Sequence, residues 1–199
     1  MVDHRVQDMM RLMSSKIKKI ADSLSDEEIT RFLDEILKAR RIYVMGAGRS
    51  GLVAKAFAMR LMHLGFQAYV VGETITPAMK QGDLMVVFSG SGKTKTVADI
   101  AETAKDIGGR LALISSDKSS KIAQISDSVV IIESQRDAVK DDTAEFEIRQ
   151  MMGEHKSFAP LGTIFETASM VFADAIISRL MEITRMEEKD LKTRHANIE

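Results

Sequence analysis

The chain is 199 residues long, the upper range of one ordinary domain and thin for two. Its 28 Lys and Arg against 29 Asp and Glu give a formal charge of −1, which excludes the basic excess that a nucleic-acid or anionic-membrane surface needs. Cysteine is absent, so disulfides, thiol catalysis and Cys-ligated metal centres are excluded, and a reducing, cytoplasmic setting is the expectation.

Val6, Met9, Met10, Met13, Ile17, Ile20 and Leu24 recur every three or four positions and predict a first amphipathic helix. Ser25 with Glu28 has the form of a capping box, and Ile29, Phe32, Leu33, Ile36 and Leu37 supply the stripe of a second helix. No Pro- or Gly-rich linker follows, so residues 1–40 are expected to pack on the body behind them. From Arg41 the rhythm changes. Ile42 to Met45, Ala68 to Val71, Leu84 to Phe88, Leu111 to Ile114 and Val129 to Ile132 are short apolar runs that predict five buried parallel strands. Leu52 to Leu64, Thr96 to Ile107 and Ser120 to Ile125 read as helices between them, and Gly72 to Asp83 as a loop with a short helix. Gly65 and Gly108-Gly109 stand where helix C-caps belong. This alternation predicts right-handed βαβ units and a doubly wound α/β fold.

Glu133 to Ala159 is charged and aperiodic, which predicts a lid, a partner contact or a further helix. Thr163 to Met181 reads as a long apolar helix; Glu166, Asp174 and Arg179 interrupt it, so it is expected to be buried rather than to span a membrane. The tail, Arg185 to Glu199, is short and charged. The whole reads as one domain: residues 1–40 as N-terminal helices, 41–132 as the sheet core, 133–199 as a long loop and C-terminal helices. With 14 Met and no Trp, the core is aliphatic and adaptable.

Two turns carry chemistry. Gly46-Ala47-Gly48-Arg49-Ser50-Gly51 follows a strand, opens a helix and satisfies G-x-G-x-x-G. Its glycines let backbone N–H groups approach an anion, and the helix N-terminus adds unpaired donors and positive potential. Ser89-Gly90-Ser91-Gly92-Lys93-Thr94 makes a second such turn, with three hydroxyls. It is not a Walker A loop, because Val87 stands where that motif needs a glycine. A dinucleotide site would use Glu73 as its ribose-binding acid, but too little chain follows the fifth strand for a substrate domain. A hydroxyl-lined second turn suits a monophosphate better. Both turns lie at the carboxyl ends of strands, where doubly wound sheets bind ligands.

The first turn, the segment Ala56 to Gly65, the segment Val71 to Pro77 and Ser89-Gly90-Ser91-Gly92 together resemble the sugar isomerase (SIS) domain family. Pro160 to Glu166 and the ending Arg194-His195-Ala196-Asn197 extend the resemblance to its 6-phospho-3-hexuloisomerase members. It runs from about residue 40 to the C-terminus. It implies a flavodoxin-like five-stranded parallel sheet and interconversion of arabino-3-hexulose 6-phosphate and fructose 6-phosphate through a cis-enediol, with no metal or redox cofactor. It also implies a homo-oligomer, a tetramer, and a functional pairing with hexulose-6-phosphate synthase, used either to assimilate formaldehyde or, reversed, to supply pentose phosphates. Lys93 departs from the family pattern, which has Glu there, and no role is assigned to it. Two other readings remain: a non-catalytic module that senses a sugar phosphate, and an SIS isomerase acting on another sugar phosphate.

Moving a ketone between adjacent carbons requires a proton off C2 and one onto C3. Glu166 is the candidate base: it shares a helix face with Met170, Ala173 and Ile177, and burial among apolar neighbours disfavours a charged carboxyl. Thr163-x-x-Glu166 is equally a capping box, which would confine Glu166 to a local role. His63 is the candidate acid or proton shuttle. It could instead simply complement the helix C-terminus beside Gly65. Twelve residues of helix put it roughly 18 Å from the phosphate turn, so a catalytic His63 must serve a neighbouring subunit's pocket, and active sites would be shared. His155 and His195 could complete a site across such an interface, but a solvated loop and tail are the default reading for them. The phosphate ligands are expected to be Ser50, Ser89, Ser91 and Thr94, with backbone donors from Gly48 and Arg49.

Overall fold

The computed structural model describes residues 5–133, 163–195 and 197. Its strands are β1 (Ile42–Gly46), β2 (Ala68–Val70), β3 (Leu84–Phe88), β4 (Arg110–Ser115) and β5 (Ser128–Ile131). They form one sheet in the order β2-β1-β3-β4-β5, parallel throughout. Helices α1 (Arg5–Ser23) and α2 (Asp26–Lys38) precede it. Helix α3 (Arg49–His63) joins β1 to β2, α4 (Lys95–Asp106) joins β3 to β4, and α5 (Lys121–Ile125) joins β4 to β5. Helices α6 (Thr163–Thr184) and α7 (Glu188–Thr193) follow. This is the doubly wound arrangement the strand–helix alternation predicts, in the flavodoxin-like form the family resemblance implies.

Strand side chains alternate between two cores, as the period of two requires. Ile42, Val44, Leu84, Val86, Phe88, Ala112 and Ile114 enter the larger one, with residues of α1, α2, α3 and α6. Met85, Val87, Leu111 and Leu113 enter the smaller one, closed by Val97, Ala101 and Ala104 of α4 and Ile122 of α5. Each such aliphatic side chain is stabilised by about 1.5–3 kcal/mol relative to exposure. A chain of rings links the helix layer to the sheet: Phe172 to Phe32 at 5.8 Å, Phe32 to Phe57 at 6.4 Å, and Phe57 to Phe88 at 5.8 Å. Phe88 ends β3, so α2, α3 and α6 are all tied to the strand that launches the second glycine turn.

Several elements differ from the sequence reading. Helix α3 starts three residues early, because Gly48 is its N-cap. The Gly72 to Asp83 connection holds turns but no helix; its end is fixed by buried Asp83, which accepts from Lys80 N–H at 2.9 Å and pairs with Arg40 at 3.3 Å. Only half of the Ser25–Glu28 capping box forms. Ser25 Oγ accepts from Glu28 N–H, but the Glu28 carboxylate accepts from Ile131 N–H at 2.9 Å instead, covering the exposed edge of β5. Helix α1 packs mainly through its C-terminal end; Ile20 is its buried residue, while Val6 and Met10 are exposed. The tail, for which the sequence reading gives no helix bounds, contains α7, closed by a Glu187–Asp190 capping box. Gly65 and Gly108 have the left-handed conformation expected of C-caps, with φ of 89° and 83°. Beyond Glu133, the segment predicted as lid, contact or helix lies outside the described residues. Among those described, no helix is long and apolar enough to cross a membrane.

Candidate active site

Gly46 lies opposite Phe88 in the β1–β3 register, so the two glycine turns leave the sheet side by side. The connections then diverge, α3 to the larger core and α4 to the smaller. The crevice opened by that divergence is the ligand site of doubly wound sheets.

Within the first turn the glycines have different reasons. A Cβ on Gly46 would stand 2.7 Å from the Ser50 backbone, and one on Gly51 would stand 2.7 Å from the Gly46 carbonyl oxygen. Those two let backbone pack on backbone. Gly48 has φ 55° and ψ −129°, and a Cβ there would meet nothing within 4 Å. Its conformation favours glycine, and the space before it is open to a ligand. The first N–H groups of α3, at Arg49 and Ser50, have no intrahelical acceptor and stand at that open end. Ser50 is buried in the first turn of the helix.

The second turn is braced by hydroxyls. Ser89 Oγ accepts from Gly92 N–H and Ser91 Oγ from Lys93 N–H, both at 3.2 Å. Accepting in this way leaves each hydroxyl its own proton to donate outward, to an anion. The Gly90 carbonyl receives Ser116 N–H at 3.0 Å, Ser116 Oγ at 2.6 Å and Ser115 Oγ at 3.3 Å. Gly92 has φ 58°, and a Cβ on it would overlap Ser120. Thr94 caps α4 with its backbone only; its hydroxyl makes no cap bond. Lys93 pairs with Asp117 at 3.3 Å. The Asp117 carboxyl is held below its ordinary pKa first by the Ser119 hydroxyl and N–H, and then by Lys93.

Helix α6 brings Glu166 to this crevice. Phe165 packs on Gly90, where a Cβ would lie 3.0 Å from its ring. Glu166 Oε2 stands 3.4 Å from Arg49 Nε, with 14% of the Glu166 side chain exposed. Neighbouring residues of α6 thus touch both glycine turns. The capping-box alternative is not formed, since Thr163 Oγ1 is buried without a hydrogen-bond partner. Glu166 Oε2 is likewise buried and accepts no hydrogen bond. A carboxylate oxygen so placed is poised to take a proton or a donor from a ligand.

His63 is not part of that cluster. It ends α3, fourteen residues from Arg49, or about 21 Å along the axis. It is buried at 3% exposure, and its ring stacks on His195 at 5.1 Å. Burial, then His195, then Arg60 hold its pKa below the ordinary 6.5. Glu73, the acid a dinucleotide site would need, is paired with Lys55 at 2.6 Å.

Of the expected ligands, Gly48, Arg49, Ser50, Ser89, Ser91 and Thr94 all lie on the two adjoining turns, with Glu166 against the first. The sequence reading missed the Arg49 side chain, the Phe165 contact and the bracing serines after β4. Arg49 had a detectable signal: a cation in the first turn of a helix opposes the dipole and calls for an anionic partner. The serines had none, because nothing local says which hydroxyls a distant turn will meet.

Comparison with known proteins bears on this geometry. A model of the SIS domain family matches residues 35–149. An uncharacterized protein of Aeropyrum pernix is 46% identical over 176 residues, covering 86% of this chain and 82% of that one. The 3-hexulose-6-phosphate isomerase of Bacillus subtilis is 38% identical over 185 residues, covering 93% and 94%. A crystal structure from Methanococcus jannaschii, for which a 3-hexulose-6-phosphate isomerase function was inferred, superposes with a TM-score of 0.81. It is 30% identical, and the match covers 96% of this chain and 99% of that one.

Proposed function

The chain belongs to the SIS domain family, and from that premise we propose that it interconverts arabino-3-hexulose 6-phosphate and fructose 6-phosphate. The observation that carries this reading is the Glu166 carboxylate at the first of two adjoining anion-ready glycine turns, its buried Oε2 facing the Arg49 guanidinium at 3.4 Å without accepting a hydrogen bond.

The two turns hold the phosphate, through backbone N–H groups at Gly48 and Arg49 and hydroxyls of Ser50, Ser89, Ser91 and Thr94. Anchoring the remote phosphate fixes the sugar carbons relative to the base. Glu166 takes the proton from C2 of the 3-ketose, the electron pair forms the C2–C3 double bond, and the C3 carbonyl oxygen gains a proton. Collapse of the enediol puts the ketone at C2 and returns a proton to C3, so no atom is gained or lost. Donors aimed at the developing enediolate oxygen lower the barrier.

His63 is the second proton-transfer group, delivered from a neighbouring subunit because about 21 Å of helix separates it from its own crevice. The exposed apolar side chains Leu52, Met59 and Met62 along α3 support a homo-oligomer, read here as a tetramer with shared sites. The same reading carries a cytoplasmic enzyme of the ribulose monophosphate pathway, paired with a hexulose-6-phosphate synthase.

The test is incubation with fructose 6-phosphate in D₂O. Deuterium entering C2 or C3 positions is expected; binding of the sugar phosphate without exchange would instead identify a sensor. For the shared site, Glu166→Gln and His63→Ala subunits, each inactive alone, should regain activity when mixed. Verified mixed oligomers that stay inactive would remove His63 from the mechanism.

A further inference from the structure

The C-terminal end of α3 is covered by a segment that begins 131 residues further along the chain, at Arg194. We propose that His195 is the positioning residue of His63: the tail after α7 clips over the end of α3 and fixes the plane and the neutral state of that imidazole.

Three contacts, different in kind, make the clip. The Arg194 guanidinium donates to the His63 carbonyl at 3.2 Å, satisfying one of the acceptors that a helix C-terminus leaves open. The same guanidinium lies over Gly65, where a Cβ would stand 3.2 Å from its central carbon. Gly65 has φ 89°, so the turn both ends the helix and leaves the guanidinium its seat. The His195 ring then lies on the His63 ring at 5.1 Å with 28° between planes, an offset-stacked separation. His63 is buried although it occupies the last turn of its helix, and His195 itself is exposed.

The chemistry follows from the charges. Among the described residues, the charged and titratable groups that touch or shift His63 are Arg60 from its own helix, with Arg194 and His195 from the tail. These are basic, so a proton arriving on His63 meets their repulsion in addition to the cost of burial. That agrees with a His63 pKa lowered by burial, then His195, then Arg60. A neutral imidazole can accept a proton at one nitrogen while donating at the other, as a shuttle between two oxygens requires. The catalytic meaning of the clip rests on the isomerase reading above; the clip itself does not.

The test is an NMR titration of the His63 imidazole in the wild type and in His195→Phe, alongside the pH profile of kcat. Phenylalanine keeps a ring on His63 and removes the charge. The His63 midpoint should rise, and the acid limb of kcat should move up with it, while KM for fructose 6-phosphate changes by less than about twofold. Arg194→Met, which loosens the tail by another route, should move the midpoint in the same direction and covers the case that His195→Phe folds poorly. An unmoved His63 midpoint in both variants overturns the proposal. A moved midpoint with an unmoved kcat profile supports the clip and overturns instead the catalytic part of His63. Absence of deuterium exchange in the wild type would sink the isomerase reading and leave the NMR arm to decide the clip.

Discussion

The two ends of α3 are finished in opposite ways. At the N-terminal end Gly48 leaves open space, the first N–H groups have no acceptor in the helix, and the first helical residue, Arg49, carries the wrong sign for the dipole. At the C-terminal end Arg60 and Arg194 have the right sign, Gly65 closes the last turn, and the tail covers what remains. A helix end that the chain satisfies by itself is structure. A helix end that it leaves unsatisfied, and furnishes with a misplaced cation and a carboxylate for it to hold, is set up for a ligand. The lesson is that the functional end is recognised by what it lacks.

Breaking the open end should give the largest effect. Glu166→Gln keeps the shape and removes the base, so deuterium exchange at saturating fructose 6-phosphate should slow by about 10³-fold, the middle of the range for general base catalysis. Sugar-phosphate affinity, measured by calorimetry, should stay within a few-fold. Exchange at the wild-type rate would take Glu166 out of the chemistry. Gly48→Ala should come next. Its Cβ clashes with nothing in the protein, so the cost of about 1–3 kcal/mol arises from backbone conformation alone. Urea unfolding should report that loss, together with weaker sugar-phosphate binding.

Gly65→Ala sharpens the contrast from the closed end. At φ 89° the added Cβ costs about 1–2 kcal/mol and pushes against the Arg194 guanidinium, whose long side chain can give way. Stability should fall, but sugar-phosphate affinity should not. If Gly65→Ala weakened binding as much as Gly48→Ala, the two ends would not be independent.

The open end was legible in the sequence because its parts are local. Strand, Gly46 to Gly51 and helix are contiguous, and so are strand, Ser89 to Thr94 and helix; their chemistry is fixed by spacing, and the alternation of elements places both at one sheet edge. What spacing cannot supply is the meeting of distant segments. The Glu166–Arg49 pair spans α6 and α3, and from sequence Thr163 offered Glu166 a local partner that the fold does not use. Helix α3 begins before its apolar stripe does, because glycine also serves as an N-cap and Gly48 does so here. The closed end was hardly legible: Arg194 and His195 sit in a charged tail without periodicity, and only packing brings them onto His63.

The smallest effect is one of pH, and it separates the closed end of α3 from the second glycine turn. The His63 pKa lies below its ordinary 6.5 in the folded protein, and the unfolded chain takes the ordinary value. Between the two the unfolded state binds the proton more readily, so stability is complete above about 6.5 and declines as pH falls through the folded pKa. Asp117, beside the second glycine turn, is also lowered, from an ordinary 3.8, chiefly by hydrogen bonds from Ser119. Its contribution too is lost as pH falls, but only below about 3.8, a separate window. Urea unfolding followed from pH 7 to well below pH 3.8 should therefore resolve two steps. His63→Gln should remove the upper step and leave the lower one, whereas Ser119→Ala should shrink the lower and leave the upper. A single merged decline, unaltered by either substitution, would mean that the acid sensitivity belongs to neither group.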